Sequence, residues 1–198
     1  MRGTVLLVNY NSVFFLEQCL FSIQRAIGEK DIEIIVVDNH SSQGGLDSLA
    51  LCFPQVRWIR LNQNTGFAKA NNLGLKEAQG EFVLLINPDT LVPEDLFDRA
   101  FAFLGSNSDA GAVGFRLING QGRFLKESKR GFPTVWASFC KLSGLTSLFP
   151  RSRYFASYYL GHLSPSQINR VPVLSGAALI VRRQVLDQVG GFDERFFM

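Results

Sequence analysis

Thr4-Val5-Leu6-Leu7-Val8 leads into Asn9-Tyr10-Asn11-Ser12, and Ile32-Glu33-Ile34-Ile35-Val36-Val37 leads into Asp38-Asn39-His40-Ser41-Ser42. Each is a nearly continuous, β-branched apolar run ending in polar punctuation, the pattern of a strand buried on both faces. Between them Leu16, Cys19, Leu20, Ile23 and Ile27 recur at helical spacing, and Asn11 or Ser12 stands where a side chain would cap the first turn. These spacings predict a strand, a helix and a second strand.

The alternation continues outward from this unit. Residues 56–61 read as a strand, and Phe67, Ala70, Asn71, Gly74 and Ala78 share one helical face. Residues 82–86 form a strongly apolar strand. Pro93-Glu94-Asp95 opens a helix with proline at its first position and acid in its first turn, and residues 110–115 supply a further strand. Near the end, Ser175-Gly176-Ala177-Ala178-Leu179-Ile180-Val181 reads as a buried strand and residues 182–189 as a short helix stopped by Gly190-Gly191. Alternation of this kind predicts an α/β fold with a mostly parallel sheet, helices on both faces, and ligands bound beyond the carboxyl ends of the strands.

The texture changes after residue 116. Asn119-Gly120-Gln121-Gly122 forms a turn, and an aromatic-rich block with a weaker helical pattern over residues 135–148 follows. Residues 116–160 hold eight basic side chains and the single acid Glu127, whereas the whole chain carries only +3. That block has two readings. Lys129, Arg130, Arg151 and Arg153, interleaved with Phe132, Trp136, Phe139, Phe149, Tyr154 and Phe155, suit peripheral contact with anionic lipid headgroups or a lipid diphosphate; alternatively the block is a solvated insertion whose aromatics pack on the core. The sequence therefore divides into an alternating strand-and-helix half, residues 1–115, and a remainder that opens with the basic, aromatic block, residues 116–198, within one structural domain.

Composition narrows the function. With 198 residues and 46% hydrophobic side chains the chain packs a core and is not disordered. The mild net charge argues against a nucleic-acid partner. Three scattered cysteines and two histidines suggest neither a disulfide framework nor a structural zinc site, and every apolar run is shorter than the roughly 20 residues of a membrane span. A soluble, cytoplasmic protein is expected.

Four polar segments follow the predicted strands: Asn9-Tyr10-Asn11-Ser12, Asp38-Asn39-His40-Ser41-Ser42, Asn62-Gln63-Asn64-Thr65-Gly66-Phe67 and Asn87-Pro88-Asp89-Thr90. Gathered at one edge, these amides and hydroxyls with two carboxylates suit a base, a ribose and a metal-bound diphosphate. No GxGxxG follows the first strand and no GxxxxGK[ST] occurs, which removes dinucleotide and P-loop readings. Taken singly, Asp38 reads first as a cap of a turn or of the next helix, and Asp89 reads equally as a turn residue. His40 and His162 read as surface or structural residues and the cysteines as core or half-buried ones.

The ordered segments VNYNS, VVDNHSS, NTGFAKANNLG, LLINPDT, SGAALIVRR and GGFDERFF, with Ser128-Lys129-Arg130-Gly131-Phe132-Pro133-Thr134 between them, resemble family 2 glycosyltransferases of the GT-A fold over essentially the whole chain. The nearest resemblance is to the rhamnosyltransferase-like subgroup of cell-envelope polysaccharide synthesis. It implies inverting transfer of a sugar, with rhamnose the candidate, from a UDP- or dTDP-sugar to a glycan or lipid-linked acceptor at the inner face of the cell membrane, with residues 1–115 the donor-binding half and residues 116–198 the acceptor-side portion. It implies that Asp38 recognises the pyrimidine, that Asn9, Tyr10 and Asn11 line base and ribose, that Asn64, Gly66, Asn71 and Asn72 shape the sugar-nucleotide pocket, and that Asn39, Gly176 and Ala177 also belong to the substrate-binding set. Asn87-Pro88-Asp89 stands in place of the DxD motif, so Asp89 is the expected ligand of Mg2+ or Mn2+, with an amide replacing the first carboxylate. The resemblance puts the catalytic base in an ED motif just after the segment matching Gly191 to Met198, so the base is expected beyond Met198 and none within this chain. A truncated donor-binding portion, poor in transfer, is the expectation, and a nucleotide-sugar-binding fragment without activity is the alternative. A sugar-phosphate nucleotidyltransferase is the more distant rival, lacking a Gly-rich triphosphate loop after the first strand.

Overall fold

A computed structural model describes residues 2–197. Met198, the position beyond which the catalytic base is expected, lies outside the described residues. The structure divides into two compact units, one running up to Val113 and resuming at Gly176, the other Gly114–Ser175. The sequence suggests a boundary at 115/116 with everything beyond it on the acceptor side. In the structure the residues from Gly176 onward return to the first unit, because their strand pairs in its sheet.

The first unit alternates β1 (Gly3–Asn9), α1 (Val13–Ile27), β2 (Ile32–Asp38), α2 (Leu46–Cys52), β3 (Val56–Arg60), α3 (Phe67–Glu77), β4 (Phe82–Ile86) and α4 (Leu96–Ser106). After β5 (Ala112–Gly114), the chain re-enters the unit through β8 (Ala178–Arg182) and α7 (Arg183–Val189). The sheet order is β3-β2-β1-β4-β8-β5. β1 pairs in parallel with β2 and β4, and β2 with β3, while β8 runs antiparallel to β4. Apolar runs on both sides of the pleat explain this arrangement, since each central strand must be covered on two faces. Leu6, Ile35, Val37, Val83 and Leu85 form one face with Ala70 and Ala78 of the α3 segment. The alternate residues face the other layer, where Phe82 meets Phe101 of α4 at 5.3 Å between ring centroids. Gly74 sets the closeness of α3, because a Cβ there would collide with Leu6 and Val37.

Several local expectations change. α1 does start after Ser12, but Ser12 does not cap it; its Oγ donates to Asn9 Oδ1 at 2.8 Å instead. α4 begins at Leu96, not at Pro93, because Leu96 N bonds to Pro93 O and closes a separate turn first. The last strand is shorter than expected, leaving Ser175-Gly176-Ala177 as its approach. At its far end, Arg182 donates from Nε to Ala110 O at 2.8 Å and from Nη2 to Leu104 O at 2.5 Å, supplying donors to carbonyls at and beyond the end of α4.

The second unit contains β6 (Lys129–Arg130) paired antiparallel with β7 (Val173–Leu174), and two short helices, α5 (Val135–Leu142) and α6 (Leu145–Leu148). The expected turn is present: Gly122 N donates to Asn119 O, and Ile118 bridges Phe124. Thr134 caps α5 by accepting from Ala137 N at 3.1 Å. Lys129 does not reach the surface as the basic-block reading expects. It is buried, its Nζ donates to the carbonyls of Tyr159 and Leu160, and desolvation holds its pKa below the ordinary lysine value.

Candidate functional site

The parallel register fixes where the polar segments emerge. Asn9 lies opposite Asp38, and Leu7 opposite Ile86, so β1, β2 and β4 deliver their following residues to the same edge of the sheet. Asp38 ends β2, Asp89 stands three residues beyond β4, and β1 runs between those strands. Two strand spacings, about 10 Å, separate the strand ends that carry them.

Around Asp38 the first two segments knit together through Ser41. Asp38 is 5% exposed; its Oδ1 accepts from Asn9 Nδ2 at 2.7 Å and Ser41 Oγ at 2.6 Å, and its Oδ2 accepts from Ser41 N at 3.1 Å. Three of a carboxylate's roughly four acceptor positions are thereby filled by the protein, leaving one on Oδ2 for a ligand donor. Ser41 Oγ also accepts from Asn9 Nδ2 and from the backbone N of Asn11. Asn9 is fully buried and its side chain is engaged at both ends, so it orients Asp38 and does not line open space. Asn11 turns its Oδ1 to the backbone N of Ser42 and Gln43, and Tyr10 stands half exposed between them. Asn11 and His40 both have left-handed backbone, with φ of 52° and 65°, a strain that concentrates on these two facing loops.

The third segment is tied to the second by amides. Asn39, 3% exposed, donates from Nδ2 to Asn64 Oδ1 at 2.9 Å and accepts at Oδ1 from Thr65 N at 2.8 Å. Asn64 Oδ1 also accepts from Gly66 N. Gly66, with φ of 81°, precedes α3 and allows a close approach at the helix start, but the approaching group is this chain's own Phe197 carbonyl, which accepts from Phe67 N at 2.9 Å. Asn71 and Asn72 are not brought to this cluster. Asn71 bonds back to Phe67 O within its helix. Asn72 accepts from Phe192 N and donates to Phe192 O and Glu194 Oε1, clamping the segment that ends the described chain.

The fourth segment lies beside the approach to β8. Asn87 N donates to Ala177 O at 2.9 Å, and Thr90 Oγ1 reaches the same carbonyl at 3.5 Å. Gly176 is exposed with open space around it. Asp89 is exposed, and its charge contributes, after burial itself, to pushing the Cys19 thiol up to about 12. Among the described residues no group of three or more His, Cys, Asp or Glu side chains is placed to hold a metal ion. Asp193 is engaged by Arg195, whose hydrogen bonds hold its carboxyl below the usual carboxylate range. The described residues end one short of Met198, so the expected position of the catalytic base, beyond Met198, falls outside them.

Ser41 is the candidate-site residue to which the sequence alone gives no role of its own, although it joins Asn9, Asn11 and Asp38. Its signal is available: a serine three residues after an aspartate at a strand end closes a side-chain-to-backbone turn.

The model of Glycosyl transferase family 2 matches residues 4–190. The chain is 30% identical over 205 residues to N-acetylglucosaminyl-diphospho-decaprenol L-rhamnosyltransferase of Mycobacterium tuberculosis, covering 98% of this chain and 66% of that protein. It is 28% identical over 127 residues to poly(ribitol-phosphate) beta-N-acetylglucosaminyltransferase TarS of Staphylococcus aureus, covering 62% of this chain and 22% of that one. The chain thus spans 66% or less of the length of these two relatives. Among solved structures, S. aureus TarS 1-349 in complex with UDP aligns with a TM-score of 0.65 at 22% identity, over all of this chain and 52% of that one. Mannosyltransferase PcManGT from Pyrobaculum calidifontis, in complex with GDP-Man and Mn2+, aligns with a TM-score of 0.65 at 24% identity, over 98% of this chain and 48% of that one. Those two alignments identify the GT-A fold. Sheet order, polar edge and a family match running through nearly every element lead to one assignment: the chain belongs to glycosyl transferase family 2.

Proposed function

We propose that the chain binds a nucleoside-diphosphate sugar across the carboxyl edge of its sheet, with the pyrimidine of a UDP- or dTDP-sugar at Asp38 and the diphosphate toward Asp89. The protein it represents transfers that sugar, with rhamnose the candidate, to a glycan or lipid-linked acceptor on the cytoplasmic side of the cell membrane. The observation that carries this reading is the register that delivers the Asp38 and Asp89 segments to one edge, on either side of β1. The rhamnosyltransferase relative, named for an N-acetylglucosaminyl-diphospho-decaprenol substrate, and the UDP complex of TarS support it.

The residues divide the work. Asp38, buried and held by Asn9 and Ser41, keeps one acceptor position for the ring N–H of a pyrimidine. Tyr10, exposed beside it, offers a face to base or ribose. Asp89 offers a single exposed carboxylate, a donor set that fits Mg2+ or Mn2+ when diphosphate oxygens and water complete the coordination. Such an ion, when bound, offsets charge on the departing nucleoside diphosphate. Inverting attack requires a base for the acceptor hydroxyl. Asp193 and Glu194 are not assigned that role, being engaged by Arg195 and Asn72.

Calorimetric titration with UDP and dTDP, with and without Mn2+, tests this reading. Binding is expected to tighten at least about tenfold with Mn2+, roughly 1.4 kcal/mol, and Asp89→Ala is expected to abolish that gain. Equal affinity with and without the ion in both proteins overturns the assignment of Asp89.

A further inference from the structure

The second unit turns an apolar helix face outward. In α5, the small residues Ala137 and Cys140 are buried, whereas Val135 is 90% exposed, Leu142 87%, Phe139 53% and Trp136 50%. Their spacing of three, four and seven residues puts the large side chains on one stripe. This reverses the usual assignment, in which the bulky apolar stripe faces the core. The stripe is also built up and not a scatter of single residues: Trp136 stacks on Phe139 at 5.7 Å between centroids and approaches Phe155 at 6.3 Å, and Phe149 continues the row at 5.2 Å from Phe155.

Charge decides what covers it. Residues 114–175 carry nine Lys or Arg against one acid, Glu127, while the rest of the chain is acidic on balance. Arg151 and Arg153, which follow the row at Phe149, are exposed and enter no ion pair among the described residues. Lys129, buried under the carbonyls of Tyr159 and Leu160, takes no part. An aromatic and aliphatic stripe rimmed by unpaired cations matches the boundary between headgroups and acyl chains of an anionic bilayer: apolar groups enter the boundary and cations stay with the phosphates. Among the described residues no helix is long and apolar enough to cross a membrane, so any contact made by these elements lies along the surface.

We propose that the α5 face, with Val135, Trp136, Phe139 and Leu142 inserted and Arg151 and Arg153 on the phosphates, docks this chain on an anionic phospholipid bilayer. The inference goes beyond the donor-site reading and stands on different residues, so the two can fail separately.

Co-sedimentation with vesicles of phosphatidylcholine containing about 30 mol% phosphatidylglycerol, against phosphatidylcholine alone, tests it at low and physiological salt. Binding at least about tenfold tighter to the anionic vesicles, weakening as salt rises, is expected. The doubly substituted Val135→Glu/Leu142→Glu protein, altered only at exposed positions, is expected to bind at least about tenfold more weakly. Arg151→Glu/Arg153→Glu is expected to lose the preference for anionic vesicles. Circular dichroism and UDP titration on the same samples establish that each variant is folded and report on the donor site independently. The proposal is overturned if wild type ignores anionic vesicles at low salt, or if folded variants bind as wild type does. It is also overturned if the apolar face instead holds two copies together, seen as a dimer that Val135→Glu/Leu142→Glu dissociates without any vesicle binding.

Discussion

Ser41 holds three partners with one hydroxyl: it donates to Asp38 Oδ1 and accepts from Asn9 Nδ2 and Asn11 N. Removing it leaves two buried polar side chains under-satisfied, Asn9 and Asp38, so Ser41→Ala is expected to cost about 2 kcal/mol in urea unfolding. A loss below about 0.5 kcal/mol would show that the loops do not depend on this hub. The same residue illustrates what is legible at this scale. Asp38 and Asn39 are recognisable as important polar residues after a strand, but which of their hydrogen bonds a ligand can use is not. Asn39 spends its amide on Asn64 and Thr65, twenty-five and twenty-six positions away, and Asn72 spends its own on Phe192, one hundred and twenty away. Spacing along a chain carries no information about partners so distant.

Elements are legible in proportion to how many apolar residues repeat within them. α1 and β4 can be read directly, because fifteen and five residues respectively carry an unbroken pattern. α2 escapes such a reading; its seven residues bury only Leu46 and Leu49, too little periodicity to separate it from the Gly44-Gly45 turn before it. The antiparallel direction of β8 is equally hidden, since a doubly buried strand has the same apolar pattern in either direction. The docking of the final described segment on α3 belongs to this scale too. Asn72 grips Phe192 at both backbone polar groups, Phe67 and Phe192 meet edge-on at 5.9 Å, and Phe197 O takes the first free N–H of the helix. Asn72→Ala is therefore expected to raise amide hydrogen exchange at Phe192 about tenfold or more while leaving β1 and β2 protected, for a loss of roughly 1 to 2 kcal/mol confined to that contact. Unchanged exchange at Phe192 would show that the aromatic contact alone suffices.

For the whole molecule, the packing sorts three thiols that composition treats alike. Cys19 and Cys140 are buried, while Cys52, expected in the core or half-buried, is exposed. Burial, with Asp89 adding to it, raises Cys19 from 9.0 to about 12, so its thiol stays protonated in the folded protein where an unfolded chain would ionise. The stability this contributes is complete below pH 9 and is lost as pH rises toward about 12. At about pH 8, a thiol reagent is expected to modify Cys52 quickly and the other two only after denaturation. Rapid reaction of all three in the native protein would contradict the packing of α1.

The amino-acid order alone determined the alternation of strands and helices, the parallel core of the sheet and the polar residues delivered to its edge, because apolar periodicity and the residues that end a strand are local properties. Tertiary structure alone decided how those polar groups are spent, that Gly66 receives Phe197, and that α5 shows its large apolar residues outward. A helical repeat announces that two faces differ, but only the neighbours it meets determine which face is buried, and only three-dimensional proximity joins a donor to an acceptor a hundred residues away.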